Sequence, residues 1–276
     1  MAVRALHPAA GVSAEAVATV AFGAFTDAGP TRDGNEDACL VLPGAPPFDA
    51  HLAVVADGLG GHLAGEVASR LVVDTLAETT RSIALQRPEK WLRSAFHAAN
   101  LAVYDHAREH PDAFNLQSTA TALLFGADQL TIGHVGDCRA YRVRDGAAEL
   151  FTTDHTRAME MMRLRIITPE QARWHPARSQ LTRSLGAEVM VHVDVARQPL
   201  QVGDTWVVCS DGVWSEVSRV EIAEAVGGVE PEQAARRLAG VAVDREASDN
   251  VTVVVARVER LPEAGGERGR RWLPWR

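Results

Sequence analysis

Apolar positions alternate with small or polar ones from Thr19, and Val20, Phe22 and Ala24 share one face, which predicts a strand. Residues 26–37 are polar and turn-rich, broken by Gly29, Pro30 and Gly34. The unbroken apolar run 52–56 predicts a buried strand that stops at Asp57-Gly58. Two helical patterns follow. Over 64–80, Val67, Leu71 and Leu76 fall near one face. Over 88–110, Leu92, Phe96, Ala99 and Val103 make a stripe, with Pro88 in the first turn and Pro111 just past the end. Short strands are predicted at 120–125, 130–135 and 139–143, followed by a hairpin signal at Asp145-Gly146. Residues 154–186 break the pattern and are rich in Arg and Met. There Thr168 can cap a helix, Pro169 fits its first position and Gln171 completes a capping box. A strand at 206–209 ends at an Asp-Gly pair, helices are predicted at 221–226 and 231–243, and 251–255 is strongly strand-like. Residues 1–18 are Ala-rich and unpatterned, an N-terminal extension, and 261–276 read as a disordered tail. With no repeat and no linker, the pattern describes one α+β domain over 19–260.

Composition narrows the class. The 276 residues suffice for a core without disulfide or metal staples. A net charge of −8 disfavours nucleic acid as a partner, because phosphate backbones want a basic face. No apolar run reaches the roughly 18 residues of a membrane helix. Cys39, Cys138 and Cys209 are far apart and form no CxxC, so neither a disulfide framework nor a zinc knuckle follows, and a reducing compartment is the simpler setting. The start MAVRALHPAAGVSAEAV carries Glu15 where a secretion signal would be apolar, so a cytoplasmic protein is expected.

Four acidic positions share one setting. Asp57 follows LAVVA, Asp137 follows LTIGHVG, Asp211 follows WVVCS, and Asp249 precedes NVTVVV. If all converge on one sheet edge, the last strand runs opposite to the others, as antiparallel pairing provides. Converging carboxylates repel, and some would have to take up protons. A divalent cation removes that conflict, and all-oxygen ligation suits Mg2+ or Mn2+ and not zinc. Two such ions sharing one Asp lower the pKa of a bridging water and hold an in-line nucleophile. The glycine after Asp57 allows close backbone approach, so the Gly58 carbonyl is available as a ligand. One Asp-Gly after a strand is ordinarily a turn. Spacing alone leaves turns and a metal site both open.

A wider pattern bears on that choice. TDAGPTRDGNEDA (26–38), VVADGLGGHLAGEVAS (54–69), GHVGDCRAYRVRDG (133–146), ITPEQARWHPARSQLTRSLG (167–186), GDTWVVCSDGVWSEV (203–217) and SDNVTVVV (248–255) occur in this order. With them the chain resembles the PP2C (PPM) family of metal-dependent Ser/Thr protein phosphatases in its short bacterial form. The resemblance implies a four-layer αββα sandwich of two antiparallel sheets flanked by helices, with the site at one end and a flap-like segment over 154–186. It implies two Mn2+ or Mg2+ ions. Asp57 would bridge them, the Gly58 carbonyl would hold the second, and Asp211 and Asp249 would hold the first. Glu36 and Asp37 would act mainly through bound water. In bacterial members a third, weaker ion is held partly by the residue matching Asp137, shared with Asp211. Arg32 matches the phosphate-binding Arg, whose planar fork suits two phosphoryl oxygens. His62 is the counterpart of a general acid that protonates the leaving seryl or threonyl oxygen.

The implied activity is hydrolysis of phosphoserine and phosphothreonine on proteins by a metal-activated water, with no covalent phosphoenzyme. The implied partners are phosphorylated proteins and a cognate bacterial Ser/Thr kinase; one subset of such phosphatases opposes a kinase controlling type VI secretion. A monomer is expected. The alternative is a catalytically silent phosphoprotein-binding module on the same fold, against which Asp57, Asp211 and Asp249 are all retained. A two-metal phosphodiesterase would want His among its ligands. Three departures stand out: Gln117-Ser118-Thr119 replaces the family's Gly-Thr-Thr, Arg165 or Ile166 holds the place of a flap glycine, and Asp154 is the nearest match to a flap-side ligand for the third ion. Met159, Met161 and Met162 fit helix packing or a soft docking surface. Arg268, Arg270 and Arg271 beside Trp272 and Trp275 fit a solvated tail or an anionic membrane contact.

Overall fold

The computed structural model describes residues 4–5, 17–44, 48–60, 64–80, 87–110 and 115–263. In chain order the elements are β1 (Arg4–Ala5), β2 (Thr19–Asp27), β3 (Asp37–Leu42), β4 (His51–Leu59), α1 (Ala64–Thr79), α2 (Pro88–Glu109), β5 (Gln117–Ser118), β6 (Ala120–Phe125), β7 (Gln129–Val135), β8 (Arg139–Arg144) and β9 (Ala147–Leu150). They continue with α3 (Arg157–Arg163), α4 (Pro169–Trp174), β10 (Asp194–Pro199), β11 (Thr205–Cys209), α5 (Asp211–Trp214), α6 (Arg219–Val226), α7 (Pro231–Asp244) and β12 (Val251–Arg260). One sheet has the order β1-β3-β4-β6-β7-β10, with β5 beside the end of β4; the other has the order β2-β12-β11-β8-β9.

The unbroken apolar runs arise where strands such as β4, β6, β11 and β12 are buried on both faces. Along β4, Leu52, Val54 and Ala56 pack against α1 and α2, while Ala53 and Val55 point into the layer between the sheets. Along β11, Trp206 and Val208 face the inter-sheet layer, and Val207 and Cys209 face α6 and α7. Period-two alternation thus divides each strand between two cores, giving the expected helix–sheet–sheet–helix order. Gly23 in β2 lets α7 approach closely: a Cβ there would stand 2.2 Å from the Pro231 carbonyl carbon.

The expected helices at 64–80, 88–110, 221–226 and 231–243 form with end shifts of one or two residues. The Thr168 capping box forms as expected, and a second joins Ser218 and Glu221. Three differences bear on the site. The strand expected to stop at Asp57 runs on to Leu59, because Asp37 of β3 pairs with Asp57 and Ser118 of β5 pairs with Gly58. Asp211 is not in a turn but opens α5. Within the expected extension, β1 pairs in parallel with Leu40–Val41, the one parallel ladder among the described residues. Most of the expected tail, including its arginines and tryptophans, lies outside the described residues. Among the described residues no helix is long and apolar enough to cross a membrane.

Candidate metal centre

β3 and β4 set Asp37 and Asp57 directly opposite each other. The Asp57 carbonyl accepts from the Thr119 amide at 2.8 Å and from Ser118 Oγ at 2.9 Å, so the replacement of the usual Gly-Thr-Thr still anchors this strand end. The Gly58 amide donates to the Glu36 carbonyl at 3.1 Å. A Cβ on Gly58 would stand 1.9 Å from the Gly65 carbonyl, so only glycine fits between β4 and the first turn of α1. The Glu36 carboxylate and the Gly58 carbonyl oxygen both lie against Gly65.

Across the inter-sheet layer, Asp211 opens α5, and Asp249 precedes β12, which runs antiparallel to β11. The predicted opposition of these two strands is therefore present. Asp137 sits in the β7–β8 turn, where its carbonyl accepts from Trp214 Nε1 at 3.0 Å. Arg32 donates through Nη2 to Asp249 Oδ2 at 2.6 Å and through Nε to the Ser248 carbonyl at 3.2 Å. The predicted anion binder and one predicted ligand are thus already joined. His62 lies outside the described residues.

Electrostatics bind the set together. Burial and the charges of Asp37, Asp211, Asp137 and Asp249 hold the Asp57 carboxyl well above the usual carboxylate range. Burial, then Asp211 and Asp154, do the same at Asp137, against the opposing pull of Arg139. Burial raises Asp37 to about 7 despite its bond from Ser210, and burial with the Asp249 charge raises Asp211 to about 6. Asp211 Oδ1 is buried with no hydrogen-bond partner among the described residues.

The sequence reading missed a supporting network. Asn250 Oδ1 accepts from the Glu36 amide at 2.7 Å, and its Nδ2 donates to the Ala28 and Gly34 carbonyls, both at 2.8 Å. Ser210 Oγ donates to Asp37 Oδ2 at 2.7 Å and accepts from the Thr252 amide at 3.1 Å. Asn35 Oδ1 accepts from the Asp37 amide at 3.0 Å, and Asn35 Nδ2 donates to Thr26 Oγ1 at 2.8 Å. The adjacent Asn-Glu-Asp and Asp-Asn strings were the available signal. Asn250→Ala strips partners from three backbone groups. It is expected to lower stability by about 2–4 kcal/mol and Mn2+ affinity about tenfold, read by urea melts and metal titration.

Residues 154–186, the segment expected to act as a flap, meet the centre at Arg139. Its guanidinium grips Asp154 with bonds of 2.7–3.2 Å and stacks on the Trp214 ring, 3.5 Å from the centroid. Asp154, the nearest flap-side match, is therefore held by a cation of the chain. Arg183 ties the flap to β10 through Asp194 at 2.8 Å. Arg165, one of the two positions expected to replace a flap glycine, takes φ +59°, a left-handed conformation that glycine adopts without strain. Arg165→Gly is expected to stay within about 1 kcal/mol of the parent, while Arg165→Val lowers stability by about 1–2 kcal/mol in chemical melts.

No three His, Cys, Asp or Glu side chains among the described residues stand in the spacing of an ion's ligand shell. The carboxylates share one electrostatic neighbourhood while Arg32 and Ser210 engage two of them. The donor chemistry nevertheless fits a hard divalent cation: oxygen donors only, four carboxyls raised by burial and mutual repulsion, and one buried carboxylate oxygen with nothing bound to it. Cys138 and Cys209 are buried, and burial pushes the Cys209 thiol up to about 12, which leaves no ready thiolate.

A family model described as Protein phosphatase 2C matches residues 33–239. The chain is 37% identical over 238 residues to the serine/threonine protein phosphatase PstP of Mycobacterium tuberculosis, covering 86% of this chain and 45% of that protein. It thus spans just under half the length of that curated relative. It is 35% identical to the serine/threonine phosphatase stp of Listeria monocytogenes over 72% of this chain and 80% of that protein. The crystal structure of the PstP catalytic domain in complex with two manganese ions superposes with a TM-score of 0.77 at 35% identity, covering 87% of this chain and 98% of that one.

Proposed function

Since the chain belongs to the protein phosphatase 2C family, we propose that it is a Mn2+- or Mg2+-dependent protein serine/threonine phosphatase. The observation that carries the reading is the buried, unpartnered Asp211 oxygen inside a set of mutually repelling carboxyls. Asp57, Asp211, Asp249 and the Gly58 carbonyl would hold two ions, with Glu36 and Asp37 behind them and Asp137 available to a third. When bound, such ions supply Lewis acidity that activates a water and neutralises phosphoryl charge. Arg32 is half-exposed, with a side-chain accessibility of 48%, and its fork can take phosphoryl oxygens while Asp249 and Ser248 steady it. His62, as the protonated imidazolium, would hand its proton to the leaving seryl or threonyl oxygen and be left as neutral imidazole. Ser210, Asn35 and Asn250 position the carboxylates and the Arg32 loop.

The chain in this reading works as a monomer on phosphorylated proteins and opposes a Ser/Thr kinase that makes them. Turnover of p-nitrophenyl phosphate and of a phosphothreonine peptide is expected with Mn2+ and lost with EDTA. Full activity after chelation would overturn the reading, and phosphopeptide binding without turnover would favour the silent module.

A further inference from the structure

We propose that the cavity beneath the flap docks an acidic stretch of the substrate, so that the protein prefers phosphoserine and phosphothreonine flanked by Asp or Glu. The inference rests on the phosphatase reading and adds a substrate class to it. A cavity of about 660 Å³ lies between the flap and the β8–β9 and α5–α6 region, large enough for several side chains. Trp214 and Arg139 form its wall toward the metal centre, and the Trp214 indole donates to the Asp137 carbonyl. A peptide whose phosphoryl group sits at the centre therefore has its flank within reach of this space.

The charge of the cavity is one-sided. Residues 157–183 carry six arginines and two glutamates, a net +4 in a chain of net −8. Arg173, Arg178 and Arg219 line the cavity and are solvent-exposed, and no ion pair engages them among the described residues. Among the described residues the lining's only carboxylate is Asp154, and Arg139 already holds it. Met159, Met162 and Trp174 supply an apolar surface beside these cations. Arginine forks without counter-charge recognise carboxylates in paired geometry, and their place in the lining of a concavity suits a chain segment more than a flat lipid surface. The chain's own tail carries Arg268, Arg270 and Arg271, the wrong sign for this site.

The test uses the full chain with Mn2+ and two phosphothreonine peptides of one core, flanked by Glu in one and Gln in the other. The expected ratio of kcat/KM at low salt is about fivefold or more for the Glu peptide, carried by KM, given the strength of partly exposed ion pairs. Added NaCl should erase it. The double variant Arg173→Glu, Arg178→Glu should bring the ratio to one or below; if that variant does not fold, Arg219→Glu and the salt series on the parent carry the same test. A ratio near one in the parent overturns the inference, as does a ratio that the charge reversals leave intact. Binding to phosphatidylserine vesicles that these variants abolish, with a peptide ratio near one, would assign the arginines to lipid instead. Turnover of p-nitrophenyl phosphate by the parent separates the failures: present, with no flank preference, it overturns the docking alone; absent together with peptide turnover, it overturns the phosphatase reading as well.

Discussion

Asp57→Asn is expected to stabilise the metal-free protein while lowering phosphatase activity about a thousandfold or more. The two effects have one cause. Asp57 faces the charges of Asp37, Asp211, Asp137 and Asp249, and that repulsion with burial holds its carboxyl well above the ordinary range. Asparagine has nearly the same shape and no charge. It removes the repulsion and with it an anionic oxygen that a divalent cation requires. The gain should be about 1–3 kcal/mol, or several degrees in melting temperature, and should grow as pH rises, because more of the neighbours are then ionised. Thermal melts in EDTA beside phosphopeptide kinetics in Mn2+ read both. A structural role alone would lower stability together with activity.

Divalent metal should stabilise the protein more at about pH 8 than at about pH 5. Asp211 and Asp37 are raised to about 6 and about 7, and Asp57 and Asp137 are raised as well. A group raised on folding binds more protons in the native state between its unfolded and folded pKa values. Its contribution to stability is therefore fully present below about 4, the ordinary aspartate value, and is lost as pH climbs through 6 and 7. Each such group contributes a slope of at most about 1.4 kcal/mol per pH unit over that window. Mn2+ must displace these protons, so its affinity rises across the same window. At a hundredfold excess over its dissociation constant it should add about 2.7 kcal/mol per ion, or about 5 °C, near pH 8, and much less near pH 5. Melts across pH with and without Mn2+ check this. An increment independent of pH would mean that the ion binds away from these carboxylates.

Two kinds of strand were legible in the sequence: half-buried β2, read from its alternation, and strands buried on both faces. LAVVA and TWVVC are unbroken apolar runs because period-two alternation divides them between two cores. β10, read DVARQP, was not legible, since an edge strand with exposed side chains has no apolar period. β3 was hidden behind the polar run that precedes it. The acidic positions were visible as types, but their settings were not. Asp57 stays inside its strand because remote β3 and β5 extend the ladder around it, and Asp211 opens a helix. Asn250 and Ser210 act across 214 and 173 positions of sequence, on an amide and a carboxylate that no local pattern brings near. The family resemblance supplied the proposed ligand set, and the geometry adds a hydrogen-bond network around those residues. The Arg32–Asp249 pair was absent from both the spacing and the resemblance.

The most direct measurement is an anomalous-difference map from crystals equilibrated with Mn2+. Two peaks are expected about 2–2.5 Å from oxygens of Asp57, Asp211 and Asp249, both of them on the Asp57 carboxylate, with Asp211 Oδ1 no longer unpartnered. A map without manganese among these side chains, with Arg32 alone on Asp249, would contradict the account.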